Sequence, residues 1–293
     1  MNLTRREFMS LAAAGGLGVT VVGAGVRPAQ AVQRNGMAIL IDVSRCVGCR
    51  SCEAACKANR GFPEGAAEDL SPTAYTYIHT AALSTPRPHP VLGEDGAGQR
   101  TVKMQCMHCT EPACASACPV AALRKTAAGP VVYDADRCMG CRYCLLACPF
   151  QIPRFEWRKA LPVVTKCDMC AARQAEGKGP VCVEACPADA LAFGPREKML
   201  AEASRRIAAE NTRYIPAIYG AEEAGGTSIL YVSDVPFEEL GFRVVVREPL
   251  PAYTWKALGK LPGVVIGLGA VLTGIEVVIR RRTEMQEKER ELR

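Results

Sequence analysis

The chain has 293 residues, enough for one or two domains, with a mild formal charge of +6 and no block of like charge. Aromatic residues make up only 6%, so a stacking surface for nucleic acid is poorly supplied and nucleic acid is set aside as a partner. Sixteen cysteines stand against three histidines, and every cysteine falls into one of four groups of four.

In chain order, residues 4–10 read TRREFMS, with a twin-arginine pair at Arg5 and Arg6 and Phe8 behind it. A weakly hydrophobic, glycine-rich run follows from Met9 to Val26, and Ala29 and Ala31 form an A-x-A cleavage pattern. This predicts a twin-arginine export signal over residues 1–31, cut after Ala31. Export in the folded state suits a cysteine-rich chain, because its thiols stay reduced while the protein is completed in the cytoplasm.

The apolar run GMAILIDV over residues 36–43 predicts a first strand. Group I follows as Cys46, Cys49, Cys52 and Cys56, with Gly48 letting the backbone wrap closely and Lys57, not proline, after the last cysteine. Residues 57–100 are rich in Gly, Pro and Ala, with a strand expected at Tyr75–Ala82 and a turn at 93–100. A plain loop excursion is the preferred reading of this insertion, a partner-docking surface the other.

Group II is Cys106, Cys109, Cys114 and Cys118, followed by Pro119. The segment PVAALRK then reads as a short helix, Gly129–Tyr133 as a strand and Asp134–Arg137 as a turn. Group III is RCMGCRYCLLACPF, with Cys138, Cys141, Cys144 and Cys148 at C-x2-C-x2-C-x3-C and Pro149 behind. This is the bacterial iron–sulfur run, in which three cysteines hold one cubane cluster and the fourth reaches another.

Group IV is Cys167, Cys170, Cys182 and Cys186 with Pro187, its pairs separated by the eleven residues 171–181. Alone it could be a zinc site. As the fourth of four groups, three of them ending in Cys-Pro, it favours an iron–sulfur set over zinc or a disulfide framework. PADAL then reads as a helix turn, AFG as a strand, and Pro195–Asn211 as a charged surface helix with Leu200, Ala203, Ile207 and Ala208 on one face. A last strand is expected at Ser228–Val232.

No paired acid–base constellation and no nucleotide-binding glycine fingerprint is present, so no catalytic residue and no further cofactor site is assigned. Arg45, Arg50, Arg137, Arg142 and Lys166 stand beside the cysteines, where they would either stabilise reduced clusters or serve solubility.

Leu261–Ile279 is a run of 19 residues with Glu276 its only charge, close to the ~20 that cross a bilayer. Tyr253 and Trp255 precede it as interface anchors, and Arg280, Arg281 and Arg282 follow, which places the tail in the cytoplasm and the cysteine groups outside. Gly263, Gly267, Ala270 and Gly274 align on one face, a stripe that admits a helix of a separate membrane subunit. Glu276 stands four residues before Arg280, a spacing for an ion pair.

Groups I to IV in this order resemble the four-cluster iron–sulfur electron-transfer subunits of membrane-bound oxidoreductases, over most of residues 36–279. CMHCTEPACASACPVAAL, DRCMGCRYCLLACPF, CVEACPADALAFG and YGAEEAGGTSILYV carry the likeness. It is nearest to the HybA-type proteins of hydrogenase-2 operons and next to the β subunits of formate dehydrogenases; the chain's own twin-arginine signal favours the former.

The resemblance implies an α+β fold of two interleaved bacterial 2[4Fe–4S] ferredoxin-like domains within residues 32–252, one from groups I and IV and one from II and III. A single-helix anchor at 253–282 and a charged cytoplasmic tail at 283–293 would follow. It also implies four [4Fe–4S] clusters with crossed ligand sets. One set is Cys46, Cys49, Cys52 and Cys186, and its neighbour is Cys167, Cys170, Cys182 and Cys56. Another is Cys138, Cys141, Cys144 and Cys118, and the last is Cys106, Cys109, Cys114 and Cys148.

Such a subunit is no enzyme. It would pass electrons in anaerobic respiration between a periplasmic catalytic subunit and an integral, quinone-reactive membrane subunit. The catalytic partner would be a NiFe hydrogenase, or else a formate dehydrogenase or other molybdopterin oxidoreductase.

Overall fold

The computed structural model describes residues 36–157, 163–210 and 212–292, so the expected export signal lies outside the described residues. The chain opens with β1 (Met37–Asp42) and, past group I's first turn, α1 (Ser51–Arg60). The insertion leads into β2 (Thr76–Ala82) and β3 (Gln99–Gln105). Groups II and III contribute α2 (Ala113–Ser116), β4 (Leu123–Lys125), β5 (Val131–Tyr133) and α3 (Tyr143–Ala147). Then come β6 (Arg154–Phe155), β7 (Val164–Thr165), α4 (Ala171–Ala175), α5 (Val181–Glu184), β8 (Leu191–Pro195), α6 (Arg196–Ala209) and β9 (Ile229–Val232). Helices α7 (Leu250–Leu258) and α8 (Leu261–Glu291) end the chain.

Strand β1 is apolar from Met37 to Ile41 because it is the middle of a three-stranded sheet, antiparallel to β8 and parallel to β9. Both its faces are covered, which removes the polar alternation of a half-exposed strand. Ile39 and Ile41 enter the core that contains Cys52, Met107, Met169 and Cys182. Leu40 points the other way, onto Ala203, Tyr214, Leu230 and Val232, so α6 backs the sheet. α1 packs on α5, and α2 packs on α3, so group I meets group IV and group II meets group III.

Three local expectations change. PVAALRK forms no helix, because Ala121 adopts φ 52° and ends any helical path; Leu123–Lys125 then pair with Val131–Tyr133 as a hairpin. The turn expected over 93–100 already becomes strand at Gln99, where β3 pairs with β2 along its whole length. The short hairpin β6–β7 (Arg154↔Thr165) was not expected at all.

Helix α6 is only partly a solvated face: Arg206 reaches the fully buried Asp42 (3.0 Å), and the buried Arg196 donates to the Thr227 carbonyl (2.7 Å). Helix α8 runs unbroken past Arg280–Arg282, and the ion pair observed there joins Arg280 to Glu284 (3.5 Å) rather than to Glu276. The stretch Leu250–Glu291 is long and apolar enough to cross a membrane, with a mean hydropathy of 2.0 in its most apolar window.

Candidate metal centre

Each cysteine group begins with the same backbone device. The residue before the second cysteine is left-handed in all four: Gly48 (φ 70°), His108 (48°), Gly140 (72°) and Met169 (53°). Glycine adopts this readily, whereas His108 and Met169 hold it at a cost, as strained residues do where the surroundings demand one conformation. Such a turn aims successive backbone N–H groups into one concavity. Met169 N–H donates to Cys167 Sγ (3.3 Å), and Gly48 N–H faces the Cys46 sulfur.

The three Cys-Pro groups share a second device. Three residues past the last cysteine stand Ala121 (φ 52°), Gln151 (52°) and Asp189 (48°), all left-handed. Proline stops the preceding helix after one turn, and the reversal returns N–H groups to the sulfur: Ala122 to Cys118 (3.2 Å), and Ile152, Phe150 and Gln151 to Cys148. Lys57 replaces proline in group I, so α1 continues to Arg60 and closes on the left-handed Gly61. Lys57 Nζ donates to the Gly65 carbonyl (2.6 Å), which ties down the start of the insertion.

These turns gather the sixteen sulfurs into four quartets that cross the groups. Cys46, Cys49, Cys52 and Cys186 line one space. Cys56 faces Cys182 and Cys170, and Cys167 faces Cys56. Cys109 faces Cys114, Cys148 and Cys106. Cys144 faces Cys138, Cys118 and Cys141. The quartets, taken in that order, form a file: Cys52 of the first faces Cys182 of the second, Cys167 of the second faces Cys106 of the third, and Cys114 of the third faces Cys144 of the fourth. The two exposed cysteines, Cys49 and Cys141, belong to the first and last quartets.

Donor chemistry and spacing both bear on what these quartets suit. Burial pushes the Cys52 and Cys114 thiols up to about 12 and those of Cys56 and Cys144 to about 11. Such sulfurs become thiolates only beside concentrated positive charge, which iron supplies. Among the described residues no three His, Cys, Asp or Glu side chains converge as a single ion would require. Instead the cysteines of the first and of the fourth quartet each surround one common space, Cys46, Cys49, Cys52 and Cys186 in one case and Cys118, Cys138, Cys141 and Cys144 in the other. A ring of thiols around such a space fits a polynuclear cluster better than a zinc ion.

The charges singled out in the sequence divide into two kinds. Arg45, Arg50 and Arg137 pair with Asp42 (3.4 Å), Glu53 (3.3 Å) and Asp134 (3.3 Å), and Arg142 lies over Trp157 (4.9 Å) and Phe155 (5.5 Å). Lys166 is buried, donating to the Cys167 carbonyl (2.9 Å) and to that of Val131.

Sequence reasoning missed Lys103, Lys125 and His108, whose burial no motif announces. Lys125 donates to the His108 carbonyl (2.8 Å) and Ser228 Oγ (3.1 Å), and burial brings its amine down to about 8. His108 is fully buried, and its Nδ1 accepts the Val131 N–H (2.9 Å). Burial first, then Lys166, Lys125 and Lys103, hold this imidazole neutral.

Comparison with known proteins defines the class. Residues 100–196, spanning groups II to IV, match the 4Fe–4S dicluster domain. A protein of Nitratidesulfovibrio vulgaris Hildenborough is 39% identical over 297 residues, covering 98% of this chain and 80% of its own. The iron–sulfur subunit of the nitrate-inducible formate dehydrogenase of Escherichia coli K12 is 36% identical, covering 67% of each chain. The protein is therefore an iron–sulfur subunit of the electron-transfer class, with a ferredoxin-like 4Fe–4S domain.

Within that class the relationship is narrower. The hydrogenase-2 operon protein HybA of Escherichia coli O157:H7 is 33% identical over 322 residues, covering 96% of both chains. The chain belongs to the HybA family.

Proposed function

We propose that this chain carries electrons, one at a time, between a catalytic subunit outside the cytoplasmic membrane and a quinone-reactive subunit within it. The sixteen cysteines hold four [4Fe–4S] clusters, one per quartet. A bound cluster of this kind supplies reversible one-electron chemistry. The chain's own work is to place the four sites in single file, to shield the inner two, and to set their potentials through burial, N–H donors and charge.

The observation that carries this reading is the exchange of fourth cysteines. Cys186 joins the quartet of group I and Cys56 that of group IV, while Cys148 joins group II and Cys118 group III. That exchange keeps neighbouring sites close, as two ferredoxin-like domains within residues 32–252 would. With exposed Cys49 and Cys141 in the end quartets, electrons enter at one end and leave at the other.

In this reading the chain is exported folded under its twin-arginine signal, and α8 anchors it with the cluster-bearing part on the periplasmic face. The likeness to HybA favours a NiFe hydrogenase as catalytic partner. The match to a formate dehydrogenase subunit supports a second reading, with that enzyme or another molybdopterin oxidoreductase as donor.

The test uses the native complex in detergent, with the visible iron–sulfur absorbance followed after hydrogen and, separately, after formate. Bleaching by hydrogen alone supports the first partner, and bleaching by formate alone the second. A chromophore that dithionite bleaches but neither substrate does overturns both. Zinc in place of about 16 iron atoms per chain, four for each of four clusters, overturns the cluster assignment itself.

A further inference from the structure

Lys103 lies on β3, outside every cysteine group, and its side chain is wholly buried. The ammonium faces Cys182, Cys52, Cys167 and Cys56, which are members of both the first and the second quartet. The residue also lines the space enclosed by Cys46, Cys49, Cys52 and Cys186. Its hydrogen-bond partner is the neutral side-chain amide of Gln105, which leaves the charge undiminished.

The arginines near the cysteines differ in kind. Arg45, Arg50 and Arg137 are partly exposed and each is paired with a carboxylate, so water and a counter-charge weaken their field at the quartets. A buried charge with a neutral partner acts through a low dielectric, where the same distance is worth several times more. The strand also holds it still: Tyr231 Oη donates to the Lys103 carbonyl (2.9 Å), and Lys103 pairs across the hairpin with Ile78.

We infer that Lys103 is the charge that sets the reduction potentials of the two clusters held by the first and second quartets. The inference rests on the cluster assignment proposed above. Reduction adds one electron, and so one negative charge, to a cluster already bound by four thiolates. A fixed ammonium beside it favours the reduced form and raises the potential.

The test is a redox titration of the purified complex, followed by electron paramagnetic resonance, for Lys103→Met, Lys103→Gln and Lys103→Arg. In both neutral variants two signals shift to lower potential, each by at least tenfold in the reduction equilibrium, ~59 mV for one electron. The signal of the fourth quartet, identified as the one altered by Cys141→Ser, keeps its midpoint, and Lys103→Arg restores the wild-type values. Unchanged midpoints in both neutral variants, with iron content intact, overturn the inference. Loss of iron from both neutral variants but not from Lys103→Arg also overturns it, in favour of a purely structural role. Absence of iron and acid-labile sulfide from the wild type is a different failure, that of the cluster assignment beneath it.

Discussion

The imidazole of His89 lies 3.2 Å from the carbonyl oxygen of Cys46, joining the far end of the insertion to the first cysteine of group I. Its Nδ1 accepts the N–H groups of Val91 (3.0 Å) and Leu92 (3.1 Å), so the proton sits on Nε2 and the ring donates to Cys46. Thr101 Oγ1 donates to the same carbonyl at 2.9 Å. The insertion thus closes back on the group it leaves, and Gly96 permits it: a Cβ there would stand 2.4 Å from that of His89. His89→Ala removes all three of these hydrogen bonds, each worth about 0.5–1.5 kcal/mol net, so it is expected to cost about 1.5–4.5 kcal/mol and to loosen the first quartet selectively. Iron release to a chelator checks this, since one cluster's iron should leave faster than the rest; uniform release would refute it.

Arg100 fastens the same insertion from the other side. Its guanidinium is fully buried and donates to both Asp234 oxygens and to the carbonyls of Pro88 and Gln99. Removing one partner of a buried pair strands the other charge, so Asp234→Ala should destabilise by about 3–5 kcal/mol. Replacing both residues with apolar ones should cost less than either single change. Chemical denaturation of the four variants in a double-mutant cycle measures the difference, and purely additive losses would contradict the coupling.

The left-handed turn after each Cys-Pro makes another prediction. Asp189 and Gln151 carry the conformation with polar side chains, but Ala121 is an exposed alanine at φ 52°. An L-residue pays ~1–2 kcal/mol there, while glycine would add ~0.5–1 kcal/mol of chain entropy to the unfolded state. Ala121→Gly should therefore stabilise by about 0.5–1 kcal/mol, raising the unfolding midpoint by ~2 °C. A lowered midpoint would show that the turn is not strained.

These turns also show where the sequence could and could not be read. Cysteine spacing announced the groups, and the apolar run at residues 36–43 announced β1, because both are local patterns. The pairing of Cys186 with Cys46, Cys49 and Cys52 spans the chain and came only from resemblance. PVAALRK misled because a short apolar run suits helix and strand alike, and a single left-handed alanine decided between them. The insertion read as a plain loop because its purpose rests on His89 and Arg100, polar residues that meet partners far along the chain. Lys103 could not have been singled out: nothing in QRTVKMQ marks its lysine for complete burial.

The crossed quartets predict which site a substitution damages. Cys148 belongs by sequence to group III, yet it faces Cys109, Cys106 and Cys114 of group II, with Lys166 lying against Cys114. Cys148→Ser should therefore alter the same paramagnetic signal as Cys109→Ser and leave the signal altered by Cys138→Ser unchanged. Cys118→Ser should do the reverse, disturbing the signal shared with Cys138, Cys141 and Cys144. Serine keeps the size of the side chain but replaces a soft thiolate with a poor iron ligand, so the damage should stay with one cluster rather than the fold. If Cys148→Ser and Cys138→Ser altered one and the same signal, each group would hold its own cluster, and the file of sites from Cys49 to Cys141 would have to be redrawn.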